Sequence, residues 1–543
     1  MTRSGINIVA LAGALMVNVS ASPVFGQRTQ LVSTLADGSQ GTGYSREPSI
    51  SQDGRYVCFE TVSRLVAEDT NRVQDVYVKD MLTGEVKLCS RNSNGVVGNR
   101  FSGMAQISAD GSVVAFMSTA TNLIPNNPEG LWYFYVHDLA SRETALVSVN
   151  SQGERDNRGA NCNCMVYKFP CVSTDGRYVA FHSIGSNLVE NDNNETFDIF
   201  RHDRLTGQTV RVTVSHDGGD PDGFSFIRNM SPDGRFIVYQ STATNLVPDD
   251  SNQTRDIFIR DMDLELTERC SIAHDGSEAN DASDSPDVTP DGRYVAFASL
   301  ATNLVIPDTN DDWDVFLRDR LLQTTERISI KTDGSQPNGY GRHPSISEDG
   351  RWITFHSDAT NHLAGMPVRE RRVMLRDRLT RETVYVAIGL DGPANERSLD
   401  GFISDDGKWV VFDSYASNLV PEDNNGARDI FRLERFGDHL ELLGPVPGRG
   451  GARNRWAVDG VLPGSRVVLM YDTRMGNSPI EGCDMINLDL ADPRIVGSAT
   501  ADASGRALIL RQVPPGASGR IVRFQAYSPT NCARSNVIVV QFE

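Results

Sequence analysis

Short apolar segments recur along this chain at nearly constant intervals, and an Asp-Gly pair stands before each one. Segments such as Tyr178–Phe181 and Tyr294–Phe297 are apolar on both strand faces, which is typical of strands packed between neighbouring sheets. Asp-Gly favours a hairpin turn because glycine tolerates positive φ. Successive pairs are 57, 65, 58, 58, 58 and 57 residues apart, which predicts a repeat protein. The pairs begin at Asp53, Asp110, Asp175, Asp233, Asp291, Asp349 and Asp406.

Each repeat is predicted to hold four strands. The fourth repeat runs from Ser231–Ser241 through Asn245–Val247 and Asp256–Asp261 to a last strand that ends near Asp275. Four strands in a repeat of ~40–50 residues are the signature of a β-propeller blade. The repeats of this chain are longer, and the excess falls in the loop between the second and third strands.

The two ends of the repeat region complement each other. Thr29–Gly38 matches the fourth-strand segment Thr325–Gly334, yet it precedes any first strand, whereas the seventh repeat stops after its third strand at Asp429–Arg432. We expect the N-terminal strand to complete the last blade, because this closes the ring and protects its edges. The predicted fold is therefore all-β: a seven-bladed β-propeller over residues 27–437, followed by a small second domain.

The segments outside the repeats predict export and a second β domain. In residues 1–26, Arg3 precedes the mostly apolar run Ile6–Met16 and then small residues, which is typical of a cleaved secretory signal peptide. No later run is long and apolar enough to span a bilayer. Residues 438–543 show short strands such as Arg466–Tyr471, which favour an Ig-like β-sandwich. We expect a secreted or periplasmic monomer.

The net charge limits the classes of binding partner, and the cysteines indicate which disulfides to expect. The formal net charge of −19 disfavours nucleic acid and anionic membrane surfaces, so a protein or a glycan is the expected partner. Exported cysteines are expected to pair where geometry allows. We predict a disulfide between Cys483 and Cys532, and one pair within the insertion that holds Cys162, Cys164 and Cys171. The other cysteines occupy apolar repeat positions and are expected in the core: Cys58, Cys89 and Cys270.

The repeat motif itself has a known counterpart. The pattern Pro-x-Ile-Ser-x-Asp-Gly-Arg, seen at Pro344–Ser357 and in nearly the same form at Pro48–Thr61, resembles the TolB-like, WD-like propeller repeats of exported bacterial proteins. The resemblance covers roughly three quarters of the chain and implies a propeller fold. It does not imply a particular function, because the chain lacks the N-terminal α/β domain of TolB and the Trp-Asp signature of true WD repeats.

Five loops between the second and third strands carry the motif Asp-x-Asn-x-x-x-Asp. Oxygen ligands at alternate positions suit calcium, which takes six to eight oxygens. The loops lack the sharp-turn glycine and the bidentate glutamate of an EF-hand, so a structural role, in which Asp and Asn satisfy loop backbone donors, is the alternative. The copies are Asp69/Asn71/Asp75, Asp192/Asn194/Asp198, Asp250/Asn252/Asp256, Asp308/Asn310/Asp314 and Asp423/Asn425/Asp429.

One position varies where the repeat is otherwise regular, directly after the aromatic residue that ends each Asp-Gly-led strand. If this position approaches one end of the central channel, its polar occupants form a mixed ring able to bind a metal or a polar ligand. The alternative is that they are packed side chains. The polar occupants are Glu60, His182, Gln240, His356 and Asp413, and the others are Met117 and Ala298.

The chain carries no recognised enzyme motif: no nucleophile elbow, no zinc-peptidase helix and no phosphate-binding loop. We therefore expect a non-catalytic extracytoplasmic scaffold that uses a propeller face to bind a protein or a glycan. A polysaccharide lyase or hydrolase is the first alternative, and it requires His, Arg and carboxylates that converge at the channel mouth. A calcium-stabilised cell-surface or adhesion module is the second.

Overall fold

A computed structural model describes residues 28–542, with gaps at 128–130, 160–169, 363–368, 390–391, 436–438, 447–452, 460–464, 481–482, 492–493, 502–505, 515–519, 529–532 and 536–537. Every regular element in the described residues is a β-strand, so the predicted all-β class is confirmed. None of the described residues form a helix able to cross a bilayer. The chain divides into two compact units, one of which is Gln27–Arg435 and the other of which contains Phe436–Glu543. The predicted signal peptide, residues 1–26, lies outside the described residues.

The first unit consists of seven four-stranded antiparallel sheets, which we number as blades 1 to 7. Blade 1 contains β2 (Ser45–Ile50), β3 (Tyr56–Thr61), β4 (Asp75–Asp80) and β5 (Val86–Leu88). Blade 2 contains β6 (Ser102–Ile107), β7 (Val113–Ser118), β8 (Tyr133–Asp138) and β9 (Thr144–Leu146). Blade 3 contains β10 (Cys171–Val172), β11 (Tyr178–Ser183), β12 (Asp198–Asp203) and β13 (Gln208–Arg211).

Blades 4 to 6 repeat this order. Blade 4 contains β14 (Ser225–Met230), β15 (Phe236–Ser241), β16 (Asp256–Asp261) and β17 (Leu266–Arg269). Blade 5 contains β18 (Ser283–Val288), β19 (Tyr294–Ser299), β20 (Asp314–Asp319) and β21 (Thr324–Arg327). Blade 6 contains β22 (Gly341–Ile346), β23 (Trp352–Ser357), β24 (Arg372–Asp377) and β25 (Glu382–Tyr385). A small hairpin, β26 (Ile388–Gly389) and β27 (Gly392–Pro393), leads to blade 7.

Blade 7 joins the two ends of the repeat region. It contains β28 (Ser398–Ile403), β29 (Trp409–Ser414), β30 (Asp429–Glu434) and β1 (Arg28–Leu31). Strand β1 pairs with β30 in antiparallel register, and β2 of blade 1 contacts β28 and β29. The Arg432 guanidinium also donates a 2.5 Å hydrogen bond to the Gly54 carbonyl. The first described strand of the chain thus supplies the outer edge of the last blade, and the ring is closed.

The Asp-Gly turns explain why the repeat motif is so regular. In blade 1 the Asp53 carboxylate accepts hydrogen bonds from Ser51 Oγ and from the Arg55 amide, at 2.7 and 3.0 Å. Gly54 has φ +72°, and a Cβ atom there would clash with the Trp409 ring of blade 7. Glycine is therefore required both by the turn and by the close approach of the neighbouring blade.

A second repeated contact ties the turn to its own blade. Arg55 forms a bidentate ion pair with Asp80 at the end of the third strand, with N–O distances of 3.1 and 2.7 Å. Asp80 also accepts the amide of Leu82 and so caps the next turn. Equivalent pairs join Arg177 to Asp203, Arg235 to Asp261, Arg293 to Asp319 and Arg351 to Asp377.

The second unit is built from longer strands around its own core. Its strands are β31 (His439–Val446), β32 (Arg453–Asp459), β33 (Arg466–Asp472), β34 (Met475–Ile480), β35 (Cys483–Leu490), β36 (Arg494–Thr500), β37 (Ala507–Gln512), β38 (Ile521–Ser528), β39 (Ala533–Ser535) and β40 (Ile538–Gln541). Trp456 and Ile509, from the pair β32–β37, pack with Leu469 and Phe524, from the pair β33–β38. By backbone pairing, eight of these strands form one sheet in the order β36-β33-β38-β39-β31-β32-β37, with β40 paired to β38, and β34 and β35 form a separate pair. The Ig-like sandwich stays a prediction.

The cysteines follow the sequence analysis in part. Cys58, Cys89 and Cys270 are fully buried free thiols in the blade cores, as predicted. Cys171 is likewise a buried free thiol, so it is not a member of the pair predicted for the insertion. It stands on the inner strand β10 and packs against blade 4, where its thiol replaces an ordinary core side chain. The remaining members of the predicted pairs, Cys162, Cys164, Cys483 and Cys532, have side chains outside the described residues.

Candidate functional site: the central channel

The first strand of each blade lines the channel, and most of these strands carry the same irregularity. In β2 the pairing with β3 skips between Arg46 and Ser49, and Glu47 between them has φ +55°. A bulge of this kind re-aims the side chains around it. The equivalent residues also have positive φ: Met104, Ser285, His343 and Asp400.

Three of the predicted ring residues stabilise these bulges. Glu60 Oε2 accepts the amide of Met104 at 2.6 Å, and Gln240 Oε1 accepts the amide of Ser285 at 3.1 Å. Asp413 accepts the amide of Glu47, at 3.4 Å, across the junction between blades 7 and 1. Each acceptor is fully buried and serves the next blade. At these three positions the ring side chain therefore joins adjacent blades.

A charged arc follows the channel wall in blades 1, 6 and 7. We define it as Arg46, Glu47, Glu60, His343, His356, Asp400, Asp413 and Arg428. Arg46 Nε lies 2.6 Å from Glu60 Oε1. Arg428 pairs with Asp413 and, at 2.8 Å, with Asp400. His356 Nε2 lies 3.8 Å from Asp400 and its ring stacks on His343 at 5.1 Å. Among the predicted ring residues, Glu60, His356 and Asp413 are thus brought into one electrostatic cluster.

Burial in the arc shifts the pKa values of several groups in the direction that favours their neutral forms. Burial, reinforced by the nearby Asp400, Glu60 and Asp413, raises the pKa of Glu47 well above its usual value. Burial raises the pKa of Asp413 to about 7, against the opposing effect of Arg428. Burial lowers the pKa of His356 to about 4, although Asp400 opposes this. The imidazole of His356 is therefore neutral at physiological pH, and it can donate one hydrogen bond and accept one.

The opposite wall, in blades 2 to 4, is an aromatic arc. His182 lies there with its ring centroid 5.3 Å from Phe226 and 5.7 Å from Phe197. Phe101 and Trp132 continue the arc in an edge-to-face contact at 5.1 Å. His182 is thus packed among aromatic rings, which is the alternative stated for that position, and ligand binding by His182 stays a prediction.

Two cavities adjoin the arcs. The channel cavity, of about 140 Å³, lies toward the Asp-Gly turns and is lined by inner-strand residues of all seven blades, among them Gln52, Gln106, Arg228 and Asp287. The tyrosine groove, of about 770 Å³, lies between blades 6 and 7 at the other end of the strands. It is lined by Tyr340, Asp358, Arg369, Glu370, Arg371, Glu396, Arg397, Tyr415 and Gly426.

In several blades, side chains of the protein itself contact the carboxylates of the acidic loops. In blade 4, Arg269 lies 3.1 Å from Asp250, 4.0 Å from Asp256 and 3.0 Å from Glu278. In blades 3 and 5 a guanidinium likewise lies within 4 Å of both acids of the motif. Arg211 serves Asp192 and Asp198, and Arg327 serves Asp308 and Asp314.

Amide donors enter two of the acidic loops, and one loop differs from the rest. Gln40 Nε2 lies 2.8 Å from Asp423 and 2.9 Å from Asp429 in blade 7, and Gln336 serves the blade 5 loop in the same way. The blade 1 loop has Leu88 in place of the arginine, and its Asp69 accepts a 2.6 Å bond from the Tyr77 hydroxyl. No cluster of three His, Cys, Asp or Glu suited to a metal occurs among the described residues.

The asparagine of each acidic loop bonds to the loop backbone on both sides. Its Oδ1 accepts the amide two residues ahead, at 2.7 Å from Ala427 and at 3.2 Å from Thr196 and Asp312. Its Nδ2 donates to a backbone carbonyl in the loop that follows the fourth strand, at 2.5 Å for Gly98 and 2.9 Å for Gly41. The five asparagines that bond in this way are Asn71, Asn194, Asn252, Asn310 and Asn425.

These contacts bear on the two interpretations of the motif. The amide oxygen that calcium would need is already engaged by a backbone donor in every one of the five loops, for example at 2.8 Å by Val73 and at 3.0 Å by Thr254. The structural alternative, in which Asp and Asn satisfy loop backbone groups, therefore accounts for the asparagines without an ion. Calcium binding by the loops stays a prediction.

Sequence reasoning missed most of the arc. Glu47, His343 and Asp400 stand directly before or within the Pro-x-Ile-Ser motif, at a position whose occupant changes from blade to blade. Arg428 stands before the third strand, where the other blades have Gln, Trp, Phe or Arg. In both cases the residue at one position changes between blades while the rest of the repeat is regular, and this change can be read from the sequence.

Comparisons with known proteins assign no function to the chain. No family model and no curated protein matches the chain. Among solved structures it is similar to a protein assigned as TolB from Agrobacterium tumefaciens, at 19% identity over 52% of this chain and 80% of that one, with a TM-score of 0.32. It is also similar to a fungal alcohol oxidase of the AA5 family in complex with copper (9% identity, 96% and 99% coverage, TM-score 0.41) and to the WD40 repeats of RRP9 (9%, 75% and 97%, 0.39). The predicted TolB-like, WD-like propeller repeat is confirmed by the repeated four-stranded sheets of the chain itself.

Proposed function

We propose that this protein is an exported, non-catalytic binding scaffold that holds an acidic glycan in the tyrosine groove beside the charged arc. In this proposal residues 1–26 direct export, residues 27–437 form the binding propeller, and residues 438–543 are an appended Ig-like sandwich. The protein acts as a monomer outside the cytoplasm. The observation that carries the proposal is the pairing of tyrosines with exposed arginines in one groove.

The groove has the chemistry that acidic sugars require. Tyr340 and Tyr415 offer ring faces on which a sugar can stack, and the Arg397 guanidinium lies 4.4 Å from the Tyr415 ring. Arg371 and Arg397 are exposed and make no ion pair within the described residues. Guanidinium groups bind carboxylates in a bidentate manner. The acids of the groove are already engaged in part, since Glu370 pairs with Arg372 and Asp358 accepts the Tyr340 amide.

The net charge of the whole chain bears on how the groove could bind a polyanion. A protein of net charge −19 repels polyanions unless cations are gathered locally. Arg369, Arg371 and Arg397 supply cations in the groove, where they stand beside the acids Asp358, Glu370 and Glu396. We therefore expect binding that weakens with salt and that depends on these few side chains.

Affinity electrophoresis of the mature protein in gels that contain polygalacturonate, with dextran as the neutral comparison, tests the proposal. We expect retardation by polygalacturonate alone, and a loss of at least tenfold in affinity for the double variant Arg371→Gln/Arg397→Gln. The exposed Arg100→Gln is the matched control and should bind normally. Equal retardation of all three proteins, or capture of a protein partner at this face with no glycan binding, would overturn the glycan assignment.

A glycan lyase or hydrolase is the second candidate. The observation that favours it is the gathering of His343, His356, Asp400 and Arg428 in one arc. Incubation with polygalacturonate, followed by ultraviolet absorbance for unsaturated products and by a reducing-sugar assay, tests this activity. Turnover that is lost in His356→Gln but kept in Arg100→Gln would establish an enzyme and would remove the non-catalytic interpretation.

A further inference from the structure

One arginine in the channel breaks the pattern of the inner strands. Arg228 of β14 occupies a repeat position that is small or cyclic in the other six blades, where it is Pro48, Ala105, Pro170, Pro286, Pro344 and Gly401. Pro48 and Ala105 of this set also line the channel cavity, but with short side chains that carry no charge. A long cation at this position is therefore specific to blade 4 and is not required by the fold.

The guanidinium of Arg228 has no anionic partner in the described part of the chain. Its one hydrogen-bonding contact is Nη2 to His343 Nδ1 of blade 6, at 3.3 Å. Other arginines of the channel wall are paired, for example Arg46 with Glu60 and Arg342 with Asp284. Since a guanidinium has five N–H donors, most of the hydrogen-bonding capacity of Arg228 is open.

Two carboxylates, Asp287 and Asp405, also line this cavity. Asp287 accepts the Ile346 amide at 2.8 Å, the Val288 amide at 2.8 Å and the Asn229 side chain. Burial raises the pKa of Asp405, with help from Asp287, to about 6, and Asp405 lies at the Asp-Gly turn end of the cavity. Arg228 lines the cavity and is only partly exposed, and no carboxylate of the described residues lies within ion-pair distance of its guanidinium. An anionic ligand in the cavity could therefore use its open N–H donors.

We propose that the channel cavity binds a small carboxylate, which pairs with Arg228 and accepts a further hydrogen bond from the cavity amides Gln52 or Gln106. The volume of about 140 Å³ sets the size of the ligand. A cavity of ~150 Å³ accommodates a guest as large as benzene, so a carboxylate of up to about six heavy atoms fits. This site is distinct from the tyrosine groove and does not depend on the function proposed for it.

Acetate is the probe, with the full mature protein, because it carries the carboxylate and little else. Thermal unfolding is followed from 0 to 50 mM sodium acetate (roughly the range that reveals weak sites by linkage), with sodium chloride holding the ionic strength constant. We expect a saturable rise in Tm for the wild type and for Arg100→Gln. Arg228→Ala, which introduces the residue type that blade 2 has at this position, should show no acetate-dependent rise. Arg228→Lys should bind at least tenfold more weakly because it lacks the bidentate fork.

The bound carboxylate could belong to a small free acid or to the C-terminus of a peptide chain. Binding of the tripeptide Gly-Gly-Gly, compared with binding of its C-terminal amide, distinguishes these two sources. Tighter binding of the tripeptide than of acetate, lost in the amide, would indicate a chain end. Tighter binding of acetate would indicate a small free acid. If Arg228→Ala does not fold, Arg228→Lys and ¹³C-acetate line broadening on the wild type still decide the matter. An acetate response equal in all variants, or absent from the wild type, would overturn the proposal.

Discussion

A buried aspartate opens the third strand in five of the seven blades, and its environment controls how stability depends on pH. Burial raises the pKa of Asp75 to about 7 and those of Asp198, Asp256, Asp314 and Asp429 to about 6. An acid whose pKa is higher in the folded state binds its proton more tightly there. Its stabilising contribution is complete below its unfolded pKa, near 3.9, and is lost as the pH rises through 6 to 7.

We predict that Asp75→Asn removes part of this pH dependence. Asparagine cannot ionise, so the variant should gain stability relative to the wild type as the pH rises from 5 to 8, on the order of 2 kcal/mol. Urea unfolding at the two pH values measures the difference. The exposed Asp281→Asn is the control and should track the wild type at both values. A constant difference between Asp75→Asn and the wild type would contradict the assigned pKa.

The arginines of the acidic loops make a second prediction at the residue scale. Arg269 has a side chain only 10% exposed and serves Asp256, which is fully buried. Blades 1 and 2 carry Leu88 and Leu146 at the same strand position, so leucine fits the fold. Arg269→Leu leaves three acids, Asp250, Asp256 and Glu278, without their cation, and we expect a loss of about 3 kcal/mol in the free energy of unfolding.

Calcium distinguishes the two interpretations of the loops. If the arginine fills the place of a cation, neither EDTA nor calcium should move the Tm of the wild type, and calcium should stabilise Arg269→Leu most. The triple variant Arg269→Leu/Asp250→Asn/Asp256→Asn is the matched control, and it should be insensitive to calcium. A fall in the wild-type Tm on addition of EDTA would favour the calcium-stabilised module instead.

At the scale of the element, the Asp-Gly turn tests how closely the blades pack. Gly234 has φ +75°, and a Cβ atom there would lie 2.5 Å from the Tyr178 ring of the preceding blade. Gly276 has φ +83° but open space around it. Alanine pays ~1–2 kcal/mol for the left-handed conformation at either position. We expect Gly234→Ala to cost about 2 kcal/mol more than Gly276→Ala in urea unfolding, because only Gly234 also overpacks a blade junction. Equal losses of unfolding free energy in the two variants would show that the blade junction relaxes to accommodate the added methyl group.

The same turns show why the sequence predicts the blades well and the channel poorly. Asp-Gly punctuation is a local signal, since the turn needs only glycine and one side-chain acceptor. The bulge at Glu47 is not local. Its left-handed backbone is held by a hydrogen bond from its amide to Asp413, which lies in the last blade. No property of the residues next to Glu47 announces a partner 366 positions away. The charged arc, which depends on these bulges, could not be predicted for the same reason.

The predicted ring illustrates the limit for candidate sites. Asymmetry in the repeat correctly marked positions that differ in role, and three of them fall in the charged arc. Side-chain direction was not available, however, and Gln240 proves to bind the next blade while His182 packs among phenylalanines. Asymmetry identifies where a repeat has been altered, and only geometry says whether the altered residue faces a neighbouring blade or the channel.

At the scale of the whole molecule, the circular arrangement makes every blade depend on both neighbours. The Asp-Gly turn of one blade packs on an aromatic ring of the blade before it, as Gly350 does on Tyr294 and Gly54 on Trp409. The inner strands exchange hydrogen bonds in the same direction, for example from the Ile107 amide to Ser49 and from the Ile403 amide to Ser345. A break at any junction therefore exposes two blade faces at once. The junction between blades 7 and 1 is special because a strand from the start of the chain completes it.

Removal of Arg28–Leu31 tests this closure directly. The deletion leaves the edge of β30 unpaired at Phe431–Glu434 and takes away Gln30, which accepts two hydrogen bonds from Arg432. At ~1 kcal/mol for each net hydrogen bond, the two bonds to Gln30 and the backbone ladder of four paired residues together amount to a loss of about 4 kcal/mol and a lower Tm. The side-chain variant Gln30→Ala keeps the backbone ladder and should lose about 2 kcal/mol, for its two hydrogen bonds. If the deletion and Gln30→Ala unfold alike, the ladder between β1 and β30 contributes little, and the ring is held by the turns and the inner strands. A much larger loss for the deletion, with hydrogen exchange accelerated throughout blade 7, would show that the backbone ladder itself closes the ring.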